Sequence, residues 1–320
     1  MVHRLDPVIG SVFGVHLWWY GLSYTLGLLN AYLYLNRHRT RIGLSSREAL
    51  DLSLWLAVGV LLGGRILGVY HQWPLYEERP ELMPAVWLGG FATHGLIIGG
   101  AVGILGFCKT TGASFRRVMD ALAVPAAVIM GLGRIGNFID GQIVGSLTSL
   151  PWGVDFPYAD GLRHPVVLYD GLKNLLVAWL LSRLARQNLP PGRLAALFVL
   201  LYAALRIPLD LLREYPTTVL GLPGGQTFNV LMAGAGVLLL ARNIRRSRTV
   251  TEAPPPPAPP AGPERGLLWR RLLLAAVLVG ALVIPSDAAR DIPAAYGERH
   301  PGLEYSAMYP RLNPARPPGL

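Results

Sequence analysis

The feature that most constrains this chain is a succession of apolar runs, each close to the length that crosses a bilayer. A spanning helix needs about 20 mostly apolar residues. Runs of that kind occupy 14–35, 51–70, 87–107, 119–139, 166–184, 194–212, 226–241 and 267–285. Composition agrees: 52% of the chain is hydrophobic and 15% charged, where soluble domains carry about 25% charged residues. The sequence therefore predicts an all-α polytopic membrane protein. The first run is too long and too rich in aromatic and polar residues for a cleavable signal peptide.

The basic residues orient the chain. Arg37, Arg39, Arg41 and Arg47 follow the first run, and Lys109, Arg116 and Arg117 follow the third. Arg183, Arg186 and Arg193 follow the fifth; Arg242, Arg245, Arg246 and Arg248 follow the seventh. The loop at 71–86 holds only Arg79, among Glu77, Glu78 and Glu81. Basic loops alternate, and the positive-inside rule assigns them to the cytoplasm. The N-terminus, 71–86, 140–165 and 213–225 then face outward. The net charge of +10 belongs to these loops rather than to a basic face with nucleic-acid readers. The single cysteine, Cys108, excludes an internal disulfide framework.

Residues 130–146 spell G-x-G-x-x-G through Gly131, Gly133 and Gly136. A dinucleotide fingerprint requires a preceding strand and a βαβ unit. Here the preceding residues are "ALAVPAAVIM" inside an apolar run, so these glycines are expected to let helices approach closely or to break the helix. Charged groups in such runs are costly and mark functional sites. Arg134 either snorkels, pairs with Asp140, or binds a ligand. Arg65, Arg206, Arg213, His94 and His164 are placed similarly, and Arg206 and Asp210 share a helix face at i, i+4. Guanidinium groups clustered toward the outer leaflet suit a lipid phosphate, and an imidazole supplies a base near neutral pH.

Seven motifs carry a family resemblance. "HLWWYGLSY" (16–24), "GGR" (63–65), "GGFATHGLIIGG" (89–100), "GRIGNFIDGQIVG" (133–145), "RHPVVLYD" (163–170), "LRIPLDLLRE" (205–214) and "GGQ" (224–226) follow one another. In order and spacing they resemble the bacterial prolipoprotein diacylglyceryl transferases, over roughly residues 10–245. The resemblance implies a seven-span inner-membrane enzyme with its active site toward the periplasm, here with an eighth C-terminal span. Such an enzyme moves the diacylglyceryl group of phosphatidylglycerol to the lipobox cysteine of a preprolipoprotein, releasing glycerol phosphate, with no cofactor, metal or nucleic acid. It implies His94 as general base, with His164 as its backup, and Arg134 and Arg206 on the phosphate. Tyr20, Arg65, Asn137, Asp140, Gln142, Gly145, Tyr202 and Asp210 would complete the substrate site.

The chain departs from the family pattern in places. Asp140 stands where the signature has its second Asn, Gln142 where it has Glu, and Asp210 where the sixth span has Glu. Val166 and Val167 replace polar residues. Asp140 could supply the carboxylate that Gln142 lacks. A non-catalytic or altered-specificity lipid-binding paralogue, acting in envelope biogenesis, is the alternative; no internal repeat supports a transporter. The expected organisation is a transferase-like membrane domain over 1–245, a proline-rich linker over 246–266, a further span over 267–285, and a disordered periplasmic tail over 286–320.

Overall fold

The computed structural model describes residues 1–141, 143–157, 159–213, 218–219, 222–249, 266–285 and 291–312, with Thr93, His94, 218–219, 222–224 and 249 described by backbone alone. Each expected apolar run holds a helix. These are α1 (Trp19–His38), α2 (Ser46–His71), α4 (Thr93–Thr111), α5 (Phe115–Asp140), α6 (Val166–Leu184), α7 (Arg193–Asp210), α8 (Gly224–Thr249) and α9 (Leu267–Ala281). Short helices α3 (Trp73–Glu78) and α10 (Ile292–Tyr296) lie outside these runs. Ser46–His71, Phe115–Asp140 and Gly225–Arg248 are long and apolar enough to cross a membrane, and Gly95–Thr111 is a shorter apolar helix.

Several helices bury charged or amide side chains and expose large apolar ones, which suits lipid rather than water. On α6, Asp170, Lys173 and Asn174 are buried while Leu172, Leu176 and Trp179 are exposed. The body is that of a helical membrane protein.

Two expected spans start late. The chain before α1 folds into a hairpin of β1 (Val8–Val12) and β2 (Val15–Trp18). Its two-residue turn, Phe13-Gly14, has positive φ at both positions (49° and 78°), the geometry that matches strand twist in a tight hairpin. Residues 80–88 wind into two single 3-10 turns, and Gly89 and Gly90 at φ 75° delay α4 to Thr93. Two further two-residue strand pairs, β3 (Val154–Asp155) with β4 (Leu162–Arg163) and β5 (Thr218–Val219) with β6 (Leu222–Pro223), close the connections after α5 and α7.

Glycine sets how closely the helices pack. A Cβ on Gly99 would lie 2.0 Å from Gly59 O, and one on Gly63 2.3 Å from Gly95 O, so α2 and α4 meet backbone to backbone. Such small-residue seams drive helix association in membranes, where water supplies no hydrophobic push. The fingerprint glycines work the same way. They sit within the unbroken helix α5, and a Cβ on Gly136 would come within 2.8 Å of Tyr20 Cα on α1. Close approach, not a break, is their role.

The tail expected to be disordered is packed over its described residues, 291–312. Ile292, Tyr296, Leu303, Tyr309 and Leu312 are buried in one core with Val8, Trp18, Tyr76 and Leu88. The Tyr309 hydroxyl accepts the His16 amide at 2.9 Å, and Trp87 Nε1 donates to Met308 O at 2.9 Å. The partners of these aromatic residues lie at the far end of the chain, which is why the tail reads as unpaired in sequence. Helix α9 leads to it. Arg270 pairs with Asp51 near the start of α2, and Trp18 N donates to Leu282 O at 2.9 Å just past the end of α9.

Two outcomes follow from this packing. Gly99→Val should separate α2 from α4 and lower stability by about 2 kcal/mol or more, in the range of core overpacking, read as a drop in the thermal unfolding midpoint in detergent. His3 is buried, with Nε2 2.6 Å from Phe138 O, and burial lowers its pKa from the ordinary 6.5. A depressed histidine leaves the unfolded state holding more protons, so its contribution is complete above pH 6.5 and is lost as pH falls below it. The protection factor of the His3 amide, whose N–H donates to Asp155 O, corrected for the slower intrinsic exchange of amides in acid, should fall on acidification to about pH 5.5, within one unit of that ordinary value.

Candidate active site

Three helices deliver charge to one point. Close approach of α5 and α6 is allowed by Gly131 and Gly171, since a Cβ on Gly171 would sit 3.1 Å from Arg134 Cβ and 3.3 Å from Gly131 O. That contact sets Asp170 beside Arg134. Arg134 Nε donates to Asp170 Oδ2 at 2.6 Å, and its Nη1 donates to Asn137 Oδ1 at 3.0 Å. Arg206 of α7 donates to the same Asp170 Oδ2. Lys173 Nζ lies 2.9 Å from Asp170 Oδ1 and 4.1 Å from the Tyr202 ring centroid.

A second carboxylate continues the network. Arg206 Nε donates to Asp210 Oδ1 at 3.0 Å, as the i, i+4 spacing predicts, and Asn229 of α8 donates to Asp210 Oδ2. Asp170 and Asp210 are almost wholly buried. Among the described residues Arg134, Lys173 and Arg206 thus meet Asp170 and Asp210, in an interior where charges act on one another strongly.

Two spaces adjoin this network. A cavity of about 320 Å³ opens between α1, α2, α4, α5 and α7, within the size range of small-molecule sites. Most of its wall is aliphatic, from residues such as Leu56, Leu96, Ile104, Leu122 and Ile129; Tyr20, Tyr24, Arg134, Asn137 and Tyr202 supply its polar lining. The Tyr20 hydroxyl donates to that of Tyr24 at 3.3 Å. On the other side a pocket of about 10 Å³ is lined by Arg134, Val166, Val167, Asp170, Arg206, Asp210 and Arg213. Arg134 borders both.

The remaining predicted residues divide. Gly145 pairs by backbone with Arg213 and donates its N–H to His164 O at 3.1 Å. A Cβ there would lie 2.6 Å from His164 O, so glycine permits the loop to close. His164 Nδ1 is 3.4 Å from the Tyr169 hydroxyl. Asp140 is fully buried at the end of α5. The His94 side chain and all of Gln142 lie outside the described residues.

Arg65 does not join the cluster. Its Nε donates to Met83 O at 2.8 Å, Nη1 to Gly89 O at 2.5 Å, and Nη2 to Leu82 O and Ala85 O at 2.7 and 3.2 Å. Tyr76 and Phe91 lie against its guanidinium. It ties down the turns at 80–91. The acidic partner of Arg134 is Asp170, not the neighbouring Asp140. Lys173 and Asn229 were missed as members; Lys173 could have been found as a lysine three residues after Asp170 inside an apolar run.

The family model for prolipoprotein diacylglyceryl transferases matches residues 7–242. The chain belongs to this family. A phosphatidylglycerol–prolipoprotein diacylglyceryl transferase of Methylobacillus flagellatus is 36% identical over 267 residues, covering 77% of this chain and 100% of its own. Those of Nitrosomonas europaea and Pseudomonas paraeruginosa are 37% and 34% identical, over 75% and 78% of this chain and 91% and 98% of their own. The charged network and both bordering spaces fall within the matched segment, whereas α9 and the packed tail lie beyond it.

Asp170→Asn should release buried Lys173 and Arg206 and half-buried Arg134 from their shared partner. Removing one partner of a buried ion pair costs about 3–5 kcal/mol, so the thermal unfolding midpoint in detergent should fall by several degrees, and more than for Arg65→Lys.

Proposed function

We propose that the chain transfers the diacylglyceryl group of phosphatidylglycerol to the cysteine thiol of prolipoproteins, as the names of its relatives state for them. The observation that carries this reading is the convergence of Arg134 and Arg206 on Asp170 where an apolar cavity meets a charged pocket. That junction suits a lipid whose glycerol backbone lies between acyl chains and phosphate.

In this reading the acyl chains enter the cavity past Leu96, Ile104 and Ile129, and the phosphodiester lies against Arg134 and Arg206. The thiol of the acceptor's lipobox loses its proton to a base; a free thiol has a pKa near 8.5, so few thiolates form at neutral pH without help. His94 serves as that base in this reading, with His164 as its backup. The sulfur attacks the glycerol carbon bonded to the phosphate oxygen. The S–C bond forms, the C–O bond breaks, and the electron pair leaves with glycerol phosphate. The leaving phosphate gains negative charge in this step, and preplaced guanidinium groups stabilise that gain. Asp170 and Asp210 hold the guanidinium groups in place, Asn137 orients Arg134, and Tyr20 and Tyr202 line the headgroup end. Asp140, Gln142 and Gly145 shape the signature loop.

In this reading α1, α2 and α4 to α8 are seven spans and α9 an eighth, the junction lies toward the periplasmic face of the inner membrane, and the arginine-rich turns lie in the cytoplasm. The alternation of basic turns supports that orientation.

The test uses purified protein, phosphatidylglycerol labelled in its acyl chains, and a lipobox peptide. The wild type should label the peptide's cysteine, and a peptide with serine there should take no label. Arg134→Ala and Arg206→Ala should each lower the rate by about 100-fold or more, as for loss of a donor to developing charge. His94→Ala should do the same, through loss of a general base. Binding of the lipid with no transfer by the wild type would overturn the reading.

A further inference from the structure

The end of α5 poses a problem that the matched family segment does not solve alone. A helix leaves its last four carbonyls without partners inside the helix. Here Gly141, in the left-handed region at φ 69°, turns its N–H back to Asn137 O and Phe138 O, both at 3.1 Å. Phe138 O also meets His3 Nε2. Ile139 O and Asp140 O are taken by one side chain from the far end of the sequence. Arg299 Nη1 donates to Ile139 O at 3.1 Å and Nη2 to Asp140 O at 2.5 Å. Nη1 also reaches Leu5 O at 3.2 Å.

Arg299 lies past residue 242, where the family match ends. It is delivered by a built device. Asp291 caps α10 by accepting Ala294 N at 3.2 Å and also accepts Leu312 N at 3.1 Å. Tyr296 is fully buried and its ring stacks under the Arg299 guanidinium. His300 Nδ1 lies 2.8 Å from Asp6 Oδ2.

We propose that Arg299 is a positioning residue for the transfer reaction. Recruited from the C-terminal extension, it fixes the end of α5 and thereby the setting of Arg134 and Asn137, six and three residues before Asp140. Its cation sits at a helix C-terminus, where positive charge is favoured. Its planar fork reaches two adjacent carbonyls at once, which a lysine ammonium does not. The rate readout rests on the transferase reading; the placement of Arg299 does not.

The experiment compares full-length wild type with Arg299→Ala, Arg299→Lys and a control, Arg311→Ala, whose guanidinium sits over Tyr305 on the same tail. Amide exchange across residues 137–145 and steady-state transfer to a lipobox peptide are both measured. In Arg299→Ala, exchange should quicken there by about tenfold while α2 and α4 stay protected. Its kcat should fall about tenfold with peptide KM within about twofold, since small misplacements of positioning groups cost rate. Arg299→Lys should recover part of both, and Arg311→Ala should match wild type. Unchanged exchange, or faster exchange with kcat within about twofold of wild type, overturns the proposal. Should Arg299→Ala fail to fold, Arg299→Lys decides by the same two measurements. Should the wild type not transfer, the functional reading falls and exchange alone decides the positioning role.

Discussion

Everything at the centre of this molecule depends on one buried carboxylate. Asp170 accepts from Arg134 on α5 and Arg206 on α7, and forms an ion pair with Lys173 on its own helix. Charges taken out of water cost several kcal/mol each, and their attraction offsets that only when geometry and hydrogen bonds are nearly complete. Asp170 therefore does two things. It fixes how α5, α6 and α7 sit against each other, and it holds two guanidinium groups side by side against their mutual repulsion. Among the described residues Asp210 adds a second carboxylate to the network, on Arg206.

Placing that network requires close helices, and a space beside it requires helices kept apart. Glycines serve the first need: α2 and α4 touch through Gly59, Gly63, Gly95 and Gly99, and α5 meets α1 at Gly136. With those two pairs drawn tight, the cavity lies between them, lined in part by seam residues such as Tyr20, Tyr24 and Ile129. The G-x-G-x-x-G spelling thus has a physical meaning without any nucleotide. Small residues are spaced to admit two neighbouring helices, α6 at Gly131 and α1 at Gly133 and Gly136, while Arg134 and Asn137 carry the polar groups between them.

The helices were readable because a bilayer imposes length and apolarity on each segment by itself, so local composition suffices. What depended on distant partners was not. Arg65 illustrates the limit. In sequence it is one more guanidinium in an apolar run, like Arg134; only the fold reveals that its donors end on four backbone carbonyls between Leu82 and Gly89. Arg206 with Asp210 was legible because both lie on one helix face. Arg134 with Asp170 was not, since 36 residues separate them and Asp140 is nearer in sequence. The tail from Asp291 to Leu312 was misread for the same reason: Tyr309 finds its partner at His16, 293 positions away.

The acceptor decides what an arginine does in this protein. Arg65 and Arg299 bind neutral carbonyls, which saturate donors and leave the charge in place; such a residue ties backbone segments together. Arg134 and Arg206 bind a carboxylate, which neutralises as well as orients; both border a water-sized pocket, and Arg134 also borders the large cavity. The two kinds are linked through α5. One end of that helix is held by Arg299 and His3, from opposite ends of the chain, and two turns earlier it presents Arg134 to Asp170. A helix anchored at its terminus transmits that anchor as rotation and height along its axis, because each residue advances about 1.5 Å and 100°. The packed ends of the chain and the charged centre are therefore one mechanical unit, and the C-terminal extension belongs to the site as much as the helices that line it.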